Sequence, residues 1–121
     1  MEKPDALILF AHGARDARWR IPFDKLAGLV GAQRPDLPLR LAFLEFMQPD
    51  LRGAVQELAQ AGCQRICLTP VFLAQGGHLL RDLPPMLREL EQEFGVEIAT
   101  RAAIGEDDDV LRAIAGYCAR V

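Results

Sequence analysis

The sequence predicts an α/β fold of three layers, α/β/α, built around a four-stranded parallel sheet. Short apolar runs of strand length alternate with longer amphipathic runs of helix length. The short runs are nearly continuous in apolar residues, as strands covered on both faces require. Glycine and proline punctuate the boundaries between them.

The first strand is Ala6 to Ala11, which runs directly into His12-Gly13. A polar, arginine-bearing loop follows from Ala14 to Arg20. Pro22 suits the first turn of a helix whose inward stripe is Phe23, Leu26, Ala27 and Val30, and Pro35 ends it. The second strand reads Leu39 to Glu45. Pro49 is expected to open the next helix, with Leu51, Ala54, Val55 and Leu58 as its apolar face and Gly62 as its left-handed close. Arg65 to Phe72 forms the third strand, with Pro70 at its end or in a bulge because proline lacks an N–H. The segment from Leu73 to His78 reads as a loop. A helix from Leu83 to Phe94, entered by Asp82, Pro84 and Pro85, closes at Gly95. Val96 to Ala102 is a fourth strand, and Asp107 or Asp108 caps a last helix through Ala119. Right-handed crossovers imply helices on both faces, and a flavodoxin-like strand order 2-1-3-4 is expected.

Residues 1–121 are expected to form one domain, large enough to hold a core without disulfides. A net charge of −3 gives nucleic-acid binding no overall electrostatic support. No apolar run approaches the roughly 20 residues that span a bilayer. The start Met1-Glu2-Lys3-Pro4-Asp5 lacks the basic stretch of a signal peptide, so a cytoplasmic location without membrane partners is expected. Cys63, Cys67 and Cys118 lack metal-site spacing and read as reduced thiols packed as small hydrophobes.

Ligands of such sheets bind beyond the carboxyl ends of the strands. The two histidines of the chain both map to that edge: His12 directly after the first strand, His78 in the loop after the third. Glu45 ends the second strand on the same side. Each alone could be an ordinary surface group, but together they could surround one small site. Gly13, Gly76 and Gly77 are turn residues or let a flat ligand approach the backbone. Arg15, Arg18, Arg20 and Arg81 are solvated charges or, beside a cleft, partners for a polycarboxylate. Trp19 packs beneath a ligand or anchors its loop.

The segments Leu9-Phe10-Ala11-His12-Gly13-Ala14-Arg15-Asp16, Leu41-Ala42-Phe43-Leu44-Glu45, and Pro70-Val71-Phe72-Leu73 running to Gly76-Gly77-His78 resemble the small sirohydrochlorin cobaltochelatases. These are class II chelatases, a group that includes siroheme ferrochelatases and a nickel chelatase. The resemblance implies that this chain is like one half of the larger, two-domain members and pairs as a homodimer. It places the metal-handling histidines on His12 and His78 and the acidic residue on Glu45. Relatives often have H-G-S-R where this chain has His12-Gly13-Ala14-Arg15, so a role for that serine does not carry over. The chain ends at Val121 without a histidine-rich or cysteine-rich tail, and the functions of such tails do not carry over either.

The implied reaction is insertion of a divalent metal into a sirohydrochlorin-type tetrapyrrole, without a cofactor beyond the substrate metal. Cobalt is the first expectation, with nickel and iron as alternatives. Neutral imidazoles bind such ions, and two of them hold an ion loosely enough to release it. His12 and His78 would hold the metal, and Glu45 or a histidine would take pyrrole protons. Arg15 and Arg81 would hold peripheral carboxylates, with Gly13, Gly76 and Gly77 giving the ring close access. Two rivals exist. Phosphoryl transfer on His12 would favour Arg-His-Gly, but Ala11 precedes His12. A carrier would bind the same ring or metal without catalysis.

Overall fold

A computed structural model describes residues 3–74 and 76–121, with the side chains of His78 and Leu80 excepted. Four strands, β1 (Ala6–Ala11), β2 (Leu39–Phe43), β3 (Arg65–Pro70) and β4 (Glu97–Thr100), form one parallel sheet in the order β2-β1-β3-β4. That is the expected order. β1 is central, with Leu9 paired to Leu41 on one side and Thr69 on the other.

Four helices connect and flank the strands: α1 (Ile21–Gln33), α2 (Leu51–Gln60), α3 (Gly77–Phe94) and α4 (Asp108–Ala119). α2 and α3 cover one face of the sheet. Their Leu51, Val55, Leu58, Leu83 and Leu87 join Ile8, Phe10, Ile66 and Leu68 in the main core. On the other face, α1 packs Phe23, Leu26, Ala27 and Val30, all half-buried, over Leu9, Ala11, Leu41 and Phe43. This alternation along β1 is what a strand of period two dictates.

The expected helix starts shift in two places. Pro49 lies outside α2, whose cap is Asp50, its carboxylate accepting from the Gly53 amide at 2.8 Å. α3 begins at Gly77 rather than Leu83, so Pro84 and Pro85 lie inside the helix and His78 belongs to its first turn, not to a loop. Prolines there remove the amides that would bond the Leu80 and Arg81 carbonyls. Burial outweighs that loss. Leu79, Leu83, Leu87 and Leu90 recur at helical spacing and are each at most 8% exposed.

Strand ends are shorter than expected, at Phe43, Pro70 and Thr100, and Pro70 does terminate β3. Gly62 and Gly95 close α2 and α3 with φ of +92° and +65°. Asp107 caps α4, accepting from the Val110 amide at 3.0 Å. The arginine-bearing loop contains a 3₁₀ turn at Ala17–Arg20, capped by Asp16. Cys63 is buried and Cys67 half-buried, whereas Cys118 is exposed on α4 rather than packed. All three cysteines are free thiols. Among the described residues no helix is long and apolar enough to cross a membrane.

Candidate functional site at the carboxyl edge of the sheet

The backbone beyond β1 is held from both flanks. The Val71 amide donates to the Phe10 carbonyl at 2.7 Å, Leu44 to Ala11 at 2.9 Å, and Glu45 to His12 at 3.1 Å. Parallel pairing thus continues past the formal strand ends and fixes where His12 leaves the sheet. The turn is completed by Gly13 at φ +88°, a region that L side chains rarely adopt. A methyl group at Gly13 would fall 1.9 Å from the Glu45 carbonyl oxygen. The close approach that glycine permits here is therefore to the neighbouring loop.

His12 is exposed, and its ring leans on Phe72 with centroids 4.8 Å apart. Phe72 itself is 6% exposed and meets Phe10 edge-on, so a core aromatic backs the imidazole. His12 lines a recess of about 260 Å³ with Leu44, Gly76, Leu79, Asp82 and Met86. Larger recesses of about 330 and 440 Å³ adjoin it, the first sharing Leu79 and the second Leu44 and Met86, and contain no histidine among their described residues. The recess joins the ends of β1 and β2 to the start of α3.

Asp82 was not a site candidate from the sequence, where it reads as a helix entry. Because α3 starts early, it falls one turn after His78, on the wall of the His12 recess. The available signal was the spacing of four from His78, which becomes informative only once the segment is known to be helical. Glu45 is brought to His12 through its backbone, but its exposed carboxylate does not line that recess. Gly76 lines it, and Gly77 opens α3; among the described residues nothing crowds either glycine and no side chain caps this helix start. The His78 backbone sits in that first turn, while its side chain and Gln75 lie outside the described residues.

The loop arginines divide into engaged and available groups. Arg18 pairs with Asp16 at 2.7 Å, which holds the Asp16 carboxyl below its usual range. Arg20 pairs with Asp24 at 3.1 Å, also donates to the Gln48 carbonyl, and lies over Phe43. Arg81 donates to the Gly77 carbonyl at 3.3 Å. Arg15 has no carboxylate partner among the described residues and lies over the Phe46 ring, 4.8 Å from its centroid. Trp19 stacks on Phe23 at 4.3 Å and meets Phe43 edge-on, which makes it a loop anchor. Among the described residues no three His, Cys, Asp or Glu side chains gather as a closed metal cage. Asp107 is used as a cap, and Asp109 pairs with Arg112.

Comparison with known proteins bears on the family and the fold. The sirohydrochlorin cobaltochelatase of Methanopyrus kandleri is 36% identical over 89 residues, 74% of this chain. The match spans less than two thirds of that relative, 62% of its length. The sirohydrochlorin cobaltochelatase of Methanocaldococcus jannaschii is 30% identical, with 88% of this chain and 92% of that protein covered. Among solved structures, a CbiX protein from Marinobacter aquaeolei VT8 superposes with a TM-score of 0.86 at 35% identity, covering 95% of this chain and 94% of that one. The sirohydrochlorin chelatase SirB of Bacillus subtilis subspecies spizizenii, solved with cobalt, shares the fold at a TM-score of 0.82 and 19% identity. This chain matches 50% of its length. The sequence profile of CbiX matches residues 6–120, and the chain belongs to the CbiX family.

Proposed function

We propose that this protein inserts a divalent metal, cobalt first, into a sirohydrochlorin-type tetrapyrrole. The observation that carries the reading is His12: an exposed imidazole at the carboxyl edge, backed by Phe72, in a largely apolar recess shared with Asp82 and the start of α3. The two named cobaltochelatase relatives support the same substrate and ion.

In this mechanism His12 and His78 take up the hydrated ion and pass it to the ring. Two pyrrole N–H protons leave as one divalent ion enters, so the charge of the ring is unchanged. Asp82 is the first proton acceptor, because it shares the recess with His12, and Glu45 receives or relays protons at the rim. Arg15, which has no carboxylate partner among the described residues, binds a peripheral carboxylate. The start of α3 at Gly76 and Gly77 offers amides and a favourable dipole to another, and Arg81 folds back over that start. Gly13 keeps the His12 turn seated against the Glu45 loop.

One chain presents one wall to a large flat ring. We infer a twofold dimer whose cleft is lined by His12 and His78 of both subunits, with this chain as one domain of the pair. The half-length match to SirB supports that reading. Three free thiols suit a reducing compartment, and we place the protein in the cytoplasm.

The test is an absorbance assay of sirohydrochlorin with Co²⁺, Ni²⁺ and Fe²⁺ supplied separately. Insertion faster than the uncatalysed reaction, fastest with Co²⁺, is expected. His12→Ala should abolish it without loss of fold, and Asp82→Asn should lower kcat by about a hundredfold. Binding without acceleration would make the protein a carrier, and no insertion with any ion would end the chelatase reading. Light scattering showing a fully active monomer would remove the dimer.

A further inference from the structure

Phe46 differs from the other aromatics near this rim. Trp19 is stacked into its loop, and Phe43 and Phe72 are buried in the core. Phe46 is 56% exposed. Its backbone has φ +67°, a conformation that disfavours a bulky residue and that glycine or asparagine would adopt more readily. Neither burial nor backbone preference therefore accounts for a phenyl ring at this position.

Its surroundings point to a ligand. Phe46 follows Glu45, whose amide is bonded to the His12 carbonyl at 3.1 Å, so the ring belongs to the β2 side of the His12 rim. The Arg15 guanidinium lies 4.8 Å from the ring centroid, and the ring stays mostly exposed beneath it. Arg18 and Arg20 in the same loop are paired with Asp16 and Asp24, whereas Arg15 has no carboxylate partner among the described residues. The pair therefore offers a flat apolar surface beside an available cation.

We propose that Phe46 is a substrate-contacting residue. Its ring stacks against the conjugated macrocycle, while Arg15, held over the same ring, grips a carboxylate on the periphery. This rests on the chelatase reading above. Offset stacking between π-systems is the favoured geometry for such a contact, and guanidinium edges suit carboxylates. The role is in recognition of the ring, not in handling the ion.

Phe46→Gly gives a test in which stability and function move in opposite directions. Glycine removes the ring and relieves the left-handed backbone. The full-length variant should show a KM for sirohydrochlorin raised about three- to tenfold, with the KM for Co²⁺ unchanged and the Tm equal or higher. Phe46→Trp should keep the wild-type KM for sirohydrochlorin. An unchanged KM in the glycine variant overturns the proposal and leaves metal insertion standing. A fall in Tm that tracks the rise in KM, or a change in mass by light scattering, also overturns it, because the ring then serves the loop or an interface. If the wild type inserts no metal, the chelatase reading fails, and this contact fails with it.

Discussion

On one face of the sheet, α2 and α3 bring Val55, Leu58, Leu83 and Leu87 over Phe10, Ile66 and Leu68, with none of these more than 6% exposed. On the other, α1 contributes no fully buried residue; α4, which follows β4, has none either. Ile21 and Leu29 on α1 and Tyr117 on α4 remain 64%, 55% and 73% exposed. The first face is finished within one chain; it holds the stability and fixes α3, whose first turn forms part of the His12 recess. The second face leaves apolar surface exposed.

The sharpest way to break this contrast is one substitution made on each face. Leu58→Ala, at a site with no exposure, should cost about 2–5 kcal/mol in urea denaturation. Leu26→Ala, half-buried on the inner side of α1, should cost about 1 kcal/mol. Equal costs would show that the second face is as well packed as the first. Next are the two aspartate caps. Asp50→Ala should lower global stability by about 1 kcal/mol, because α2 is part of the main core. Asp107→Ala should leave global stability nearly unchanged while raising amide exchange throughout α4, since a helix of this length without buried contacts depends on its ends. Protection of α4 in the variant would mean that something covers it.

The gentlest probe is thiol labelling. Cys118 should react first, Cys67 on the second face more slowly, and Cys63 slowest. Burial pushes the Cys63 and Cys67 thiols up from the ordinary value of 9.0, so labelling of both should rise steeply as the pH is raised. Slow labelling of Cys118 at neutral pH would show that α4 is covered in solution.

The end of β1 and the position of His12 were legible because they depend on short-range patterns, whereas the strand order was expected only by analogy with flavodoxin-like sheets. An apolar run that stops at His12-Gly13 declares where a strand ends, and Pro70 marks the end of β3 for lack of an amide. The start of α3 was not legible, because Pro84 and Pro85 carry the local signature of a first turn. The leucine stripe that overrides them matters only when the sheet is there to bury it. Asp82 was hidden by the same error. Glu45 was placed at the correct strand end, but the direction of its carboxylate depends on the turn that follows. The separation of Arg15 from Arg18 and Arg20 depends on side-chain pairing, which no spacing rule encodes. Phe46 was invisible for a related reason, since a phenyl ring beside a strand reads as core.

Gly13 interlocks the turn carrying His12 with the loop carrying Glu45 and Phe46, the missing side chain leaving just enough room for the Glu45 carbonyl. These two segments can shift only as a single block. Evolutionary drift in the choice of ion or ring would therefore find little latitude there and should be recorded mainly across the recess, in the opening turn of α3.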